Sequence, residues 1–356
     1  MSRMTDVPPL QLIVGPDGHG VVAYATDVAS ALRSLDARIN VARVERVADA
    51  VVIAYRAPRV HLHVTERILG GSPEQAAQNL EWIAAVTRLT VTAHDVPQSS
   101  DGTALARRIR AYSRFLTAPD SAAVNSRHEQ RLVAEFLPGV ASPRAIPLGA
   151  RRSSTPPGPR SDLHLTDSHG RRELVVLLAG YIYPGKGHAQ AIRAAAEAAR
   201  ALTAAGEPVG AVVVRAIGGA SAGHEGDVLH LQTDAERHGV RWEMTGFVGE
   251  DEFATRIGEE GIPLAAHQHV SASRSMLDWV EAGRRPLVAD SRYAREMQLL
   301  RPDTIALYDP ADLSTRIAEA WREPSRTWLA SEISLAPTLV DVAEAYLAWW
   351  GAEKPR

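Results

Sequence analysis

Short apolar runs recur along the chain, and each gives way to a polar, often glycine-bearing turn and then to a helical stretch. The clearest is residues 174–178, which lead through Ala179-Gly180 into a loop carrying Pro184, Gly185, Lys186 and Gly187. From about His188 to Ala204 the chain is rich in Ala, Glu and Arg, and this composition predicts a helix. Residues 10–14 open a similar unit. They run into Gly15-Pro16-Asp17-Gly18-His19-Gly20, and a helix is expected over 21–35. These apolar runs suit buried strands and are far too short to span a membrane.

Other elements follow the same rhythm. Residues 51–55 and 60–64 have strand character, and His61 and His63 alternate on one side of the second. No third metal ligand lies nearby in sequence, so a partly exposed strand end is expected rather than a metal pair. A helix from Pro73 to about Arg88 precedes a strand over 89–93, which ends in His94-Asp95. Residues 101–116 predict a helix bearing Arg107, Arg108, Arg110 and Arg114. That helix reads either as a surface for an anionic acceptor or membrane, or as a solvated face. Residues 122–136 predict a further helix with Asn125-Ser126 as its cap, and 145–149 a last strand. Residues 151–171, full of Ser, Pro, Gly and charge, read as a linker.

Beyond the linker, strands are expected at 209–216, 240–247, 262–266 and 286–290, with further β-α alternation through 304–308. The segment His267-Gln268-His269-Val270-Ser271-Ala272-Ser273-Arg274-Ser275 opens a helix carrying Asp278 and Glu281 that stops at Gly283. An apolar helix over 339–350 ends the chain. The expected fold class is therefore α/β: two Rossmann-like, doubly wound domains facing a central cleft. The expected boundaries are 1–150, a linker at 151–171, 172–335, and a C-terminal helix at 336–356 that packs back on the first domain.

Composition narrows the function. A chain of 356 residues can build two domains, and 45% hydrophobic with 23% charged residues is ordinary for a globular protein. The net charge of -3 argues against a nucleic-acid binder, and the lack of cysteine excludes disulfides and thiolate metal sites. The first ten residues have no apolar core, so no secretory signal is read and a cytoplasmic location is expected. The glycine spacing at 15–20 is not the dinucleotide fingerprint, which disfavours a nicotinamide enzyme. Strand, glycine loop and helix instead aim free N–H groups and a helix dipole at an anion, and Lys186 adds a positive charge there. The competing reading is a buried turn whose glycines only relieve strain. A His-Asp pair at a strand end stands where open α/β sheets place ligand groups, or else is a hydrogen-bonded turn.

The order of these units resembles the retaining nucleotide-sugar glycosyltransferases of the B-type fold, the large family-four group, over nearly the whole chain. The resemblance rests on Gly18 and Gly20, on Thr92-Ala93-His94-Asp95, and on Gly180 with Lys186-Gly187. It also rests on Thr245-Gly246-Phe247-Val248 and on Glu281-Ala282-Gly283 with Pro286-Leu287-Val288. It implies an N-terminal acceptor domain and a C-terminal nucleotide-sugar domain. It implies that Lys186 meets the donor diphosphate, Glu281 the ribose and His94 the donor sugar, so that His94, Lys186 and Glu281 are the catalytic set. The backbone at Gly18 and Gly20 would approach the phosphates or acceptor, and Gly180 and Gly187 would line the donor.

Two departures stand out. Tyr181 occupies the place where the family usually has Arg, and Ser273 the place of the first of its two glutamates. Arg274 is expected to replace the missing cation, and Ser271, Ser273 and Ser275 to donate to phosphate. The chain contains no Asp-x-Asp, so a route without metal or other cofactor is expected, using fixed cations and helix dipoles. The implied partners are a nucleotide-diphosphate sugar and a glycan, lipid or small-molecule acceptor, with peripheral membrane contact through the basic helix. The alternative is a non-catalytic nucleotide-sugar- or glycan-binding protein of the same fold, serving as a partner subunit.

Overall fold

The computed structural model describes residues 7–352 apart from 157–165, 168, 222, 268–271 and 332. The chain divides into two compact units, Met1–Arg151 with Ala336–Arg356, and Arg152–Leu335.

The first unit contains β1 (Leu10–Val14), α1 (Gly20–Leu35), β2 (Val41–Val44), α2 (Val47–Tyr55) and β3 (Arg59–Val64). There follow α3 (Glu66–Leu69), α4 (Pro73–Ala84), β4 (Arg88–Ala93), α5 (Leu105–Thr117), β5 (Ser121–Val124), α6 (Arg127–Phe136) and β6 (Arg144–Ala145). Its sheet is parallel in the order β2-β1-β3-β4-β5-β6, so the winding reverses between β1 and β3. β3 is buried along its whole length and pairs in register with β4, His61 opposite Thr90 and His63 opposite Thr92. Leu12, Val14, Val60, Leu62, Val64 and Val91 form the centre of the core, covered by Leu80, Ile83, Tyr112 and Phe115 from α4 and α5.

The second unit contains β7 (Leu174–Ala179), α7 (His188–Ala204), β8 (Val212–Ile217), α8 (Glu225–His238), β9 (Arg241–Met244) and α9 (Glu250–Ile257). It continues with β10 (Ile262–Ala265), α10 (Arg274–Glu281), β11 (Leu287–Ala289), α11 (Arg292–Leu300), β12 (Ala306–Tyr308) and α12 (Leu313–Arg322). Its parallel order is β12-β11-β10-β7-β8-β9, the dinucleotide-fold order, with the switch between β7 and β10. Period-two alternation along β7 sends Leu174, Val176 and Leu178 into a core with α7 and α12, and Val175 and Leu177 into another with Trp279 of α10. Both faces are thus covered, as a parallel sheet requires. The last helix, α13 (Leu339–Ala352), belongs to the first unit and packs on α1. Among the described residues no helix is long and apolar enough to cross a membrane.

Four local expectations change. Residues 51–55 are not a strand but the end of α2, because Ala50 and Ala54, four apart, both pack inward at 0% exposure. Within residues 122–136 the helix opens at the Ser126 cap, as expected, its Oγ accepting from Glu129 N at 3.0 Å, but the residues before the cap belong to strand β5. β2, Val-Ala-Arg-Val at the sheet edge, has no fully buried residue and carries too weak a pattern to be read from sequence. His61 and His63 are not at an exposed strand end, since they are 1% and 6% exposed beneath α1 and α13.

Candidate functional site

In open α/β sheets ligands gather at the carboxyl ends of the strands where the winding reverses. In the second unit that point lies at the ends of β7 and β10, and most of the residues singled out in sequence meet there. Gly187 is the N-cap of α7 at φ +95°, and a Cβ on it would stand 2.4 Å from Ala266 O just beyond β10. Gly218, after β8, approaches as closely: a Cβ there would lie 2.3 Å from Gly180 O. Glycine is therefore required where these turns pack backbone on backbone.

Lys186 sits inside this ring of turns at 5% exposure. Its Nζ donates to His267 Nε2 at 2.8 Å and to Ser275 Oγ at 3.0 Å. Both acceptors are neutral: burial and the Lys186 charge hold the His267 imidazole well below its ordinary pKa. Burial likewise lowers Lys186 to about 8, with Asp278 partly compensating. The lysine is thus a buried cation whose hydrogen-bonding partners supply no countercharge. Nothing in a lone histidine after a strand marked His267, and only its closeness to Lys186 reveals it.

Ser273 caps α10, its Oγ accepting from Met276 N at 3.2 Å, while its own N–H donates to Tyr293 Oη at 3.1 Å. It is spent on folding the turn, and Ser275 is the serine that reaches Lys186. Arg274, expected to replace the missing cation, is held by two carboxylates of its own helix. Its Nε donates to Asp278 at 2.8 Å and its Nη2 pairs with Glu281. Glu281, 8% exposed, therefore presents a carboxylate already steadied by an arginine of its own helix. Ser271, with Gln268, His269 and Val270, lies outside the described residues. Tyr181 is 39% exposed at the start of the glycine loop. A cavity of about 470 Å³ opens beside that loop, lined by Tyr183, Gly185, His188, Arg193, Asp227 and Arg237 among others.

In the first unit the switch lies between β1 and β3. The loop after β1 holds Gly18, and Gly20 begins α1 with open space where a Cβ would stand. Between them His19 caps α1, its Nδ1 accepting from Val21 N at 3.2 Å. His94 follows β4 at 6% exposure, and both ring nitrogens are engaged: Nε2 lies 3.1 Å from His63 Nδ1 and Nδ1 lies 3.2 Å from Asn125 Nδ2. Burial, then His63 and His19, hold His94 well below the ordinary histidine pKa. Asp95 takes φ +60°, which Asp tolerates better than most residues.

The arginine helix turns out to be a clamp for that turn. Arg108 Nη2 donates to Asp95 O at 2.6 Å and to its carboxylate at 3.1 Å, while Tyr112 Oη donates to His94 O at 3.1 Å. Arg108 also pairs with Glu66 and Asp101, Arg107 with Glu74, and Arg114 with Glu81, leaving Arg110 outside these pairs. The cationic face expected of α5 is thus largely neutralised by α3, α4 and the turn before α5. Among the described residues no cluster of His, Asp and Glu is arranged to hold a metal ion.

No protein-family model and no curated protein matches the sequence. Solved structures do match. HepE of Anabaena, in complex with UDP and glucose, aligns with a TM-score of 0.63 at 15% identity, over 96% of each chain. The lipopolysaccharide outer core galactosyltransferase WaaB aligns at 0.56 and 9% identity, over 95% of this chain and 98% of that one. An alpha-glucosyltransferase solved with UDP-glucose and DNA containing an abasic site aligns at 0.53 and 13% identity, over 95% and 93%. The likeness is one of architecture, and with its two parallel six-stranded sheets this chain has the two-domain, Rossmann-like B-type glycosyltransferase fold.

Proposed function

We propose that this protein moves a sugar from a nucleotide-diphosphate sugar to an acceptor, with retention and without a metal. The observation that carries the reading is Lys186: a buried ammonium between two neutral acceptors, at the switch point of the second sheet and at the start of α7. A diphosphate supplies the countercharge that the lysine's hydrogen-bonding partners lack, and the α7 dipole adds to the attraction. Glu281, steadied by Arg274, is the acceptor for ribose hydroxyls. The solved complexes of HepE with UDP and with UDP-glucose support a uridine nucleotide as the first donor to try. Retention is drawn from the family-four resemblance. The acceptor then attacks from the leaving-group side and the departing phosphate takes its proton, so no side-chain base is needed. His94 orients the sugar. The acceptor is a glycan, lipid or small molecule, and the reaction is placed in the cytoplasm.

Two observations favour a second reading. Both ring nitrogens of His94 are engaged within the first unit, and Tyr181 and Ser273 depart from the family pattern. A non-catalytic nucleotide-sugar- or glycan-binding protein would look the same. Calorimetric titration with a panel of nucleotide diphosphates and their sugars, followed by assay of nucleotide release with and without chelator, separates the two. Transfer with retained anomeric configuration, indifferent to chelator, is the expected result. Binding without turnover supports the second reading, and failure to bind any nucleotide overturns transfer and leaves only the glycan-binding form of the second.

A further inference from the structure

Asn125 closes β5 and points its amide at the turn after β4. Its Nδ2 lies 3.1 Å from Ala93 O, 3.2 Å from Glu129 Oε2 and 3.2 Å from His94 Nδ1. A carbonyl and a carboxylate can only accept, so the amide nitrogen, not the amide oxygen, must face them. The reverse orientation would set three oxygens against one another. Glu129 is itself fixed, accepting from Asn125 N at 2.5 Å while its backbone N–H donates to Ser126 Oγ. The two amide hydrogens are shared among these three acceptors, so His94 Nδ1 faces N–H rather than a lone pair, and a hydrogen on that nitrogen would be driven against them. The imidazole hydrogen is left on Nε2, which donates to His63 Nδ1 at 3.1 Å. His63 then carries its own hydrogen on Nε2, a buried atom that meets no acceptor among the described residues. Hydrogen-bond donation runs one way, from Asn125 through His94 to His63.

We propose that Asn125 and His63 are positioning residues that lock His94 as the neutral tautomer with its hydrogen on Nε2. His94 then enters the reaction as a hydrogen-bond donor to the sugar and never as its base. When the sugar binds, one of its oxygens accepts from His94 Nε2–H in place of His63 Nδ1. This deepens the glycosyl-transfer reading and rests on it for the substrate, while the tautomer lock stands on geometry alone. A protonated His94 has no place in the network, because its Nδ1–H would then be driven against the hydrogens of the Asn125 amide.

Nitrogen-15 spectra of the full chain labelled at histidine test the lock directly, with His94 assigned by its loss in His94→Gln. Near neutral pH, His94 Nδ1 is expected at the shift of an unprotonated acceptor and Nε2 at that of a protonated nitrogen. Asn125→Ala should mix the two tautomers at His94 while leaving His61, on the other side of His63, unchanged. A hydrogen on Nδ1 in the natural chain, or an unchanged His94 in Asn125→Ala, overturns the proposal. Should Asn125→Ala fail to fold, Asn125→Ser, whose short hydroxyl can donate or accept and so no longer dictates the tautomer, is read the same way. With UDP-sugar, Asn125→Ala should lower kcat by about tenfold or more, the scale of losing one positioned hydrogen bond, with the Kd for UDP within twofold. The loss should vanish in a His94→Ala background if Asn125 acts through His94, and an additive loss overturns that. A chain that transfers no sugar from any donor sinks the transfer reading, while the spectra still decide the lock.

Discussion

Lys186 decides more at this site than any other single side chain, because its charge is expensive where it stands. With burial lowering it to about 8 from 10.5, the unfolded chain binds more protons than the folded one across that window. Lys186 thus makes stability rise with pH there. Anion binding runs the other way. The ammonium is present below about 8, so affinity for UDP should be full below that pH and fall as pH rises through it. Isothermal calorimetry from pH 6.5 to 9.5 checks the slope, and in Lys186→Ala it should be absent. That variant should also bind UDP about ten- to a hundredfold more weakly, since a desolvated charge-assisted contact is worth roughly 1.5–3 kcal/mol. Sequence placed Lys186 in a glycine loop before a helix. It did not show His267 or Ser275 as its partners, because His267 lies 81 positions away and Ser275 89, and proximity across parallel strands leaves no local pattern.

At the scale of elements, α5 reads in sequence as a cationic surface and in the structure as an internal brace. Arginines spaced for a polar stripe look alike whether they meet water or carboxylates, and the partners here come from α3, α4 and the turn before α5. Arg108 is the residue that shows the difference. Burial opposes its charge, but Asp95, Tyr112, Glu66 and Asp101 together hold the guanidinium protonated beyond the usual arginine range. Removing it leaves Glu66 and Asp101, both largely buried, without a counter-ion. Arg108→Ala should destabilise the chain by about 3–5 kcal/mol, the cost of breaking one side of a buried pair. Arg110→Ala, at an exposed position, should change stability by no more than about 0.5 kcal/mol. Urea denaturation of the two variants makes the comparison. Equal, small effects would restore the solvated-face reading.

For the whole molecule the last helix carries the sharpest consequence. α13 joins the first unit although it follows the second in sequence. Tyr346, Trp349 and Trp350 lie against His61, and Tyr346 Oη stands 2.7 Å from Thr92 Oγ1. Deleting residues 339–356 should uncover this aromatic cluster and a buried imidazole. Differential scanning calorimetry is then expected to show the transition of the first unit lowered or lost and that of the second kept. Equal lowering of both transitions would contradict the division of the chain into these units.

Alternation of apolar runs with helical stretches fixed the α/β class, because strand and helix periods are local properties of the chain. Glycines at the strand ends marked where backbone must pass close to backbone, and Ser126 and Ser273 marked helix starts through a bond to the third residue on. Strand order was a matter for the tertiary structure, since it depends on which edge each crossover returns to. That order puts β10 beside β7, and so His267 and Ser275 around Lys186. It also sets β3 in register with β4, so that His63, read as half exposed, lies buried against His94. A residue's type and its neighbours in sequence set what chemistry it can offer. Only packing determines which of its atoms are already spent on the protein and which remain for a ligand.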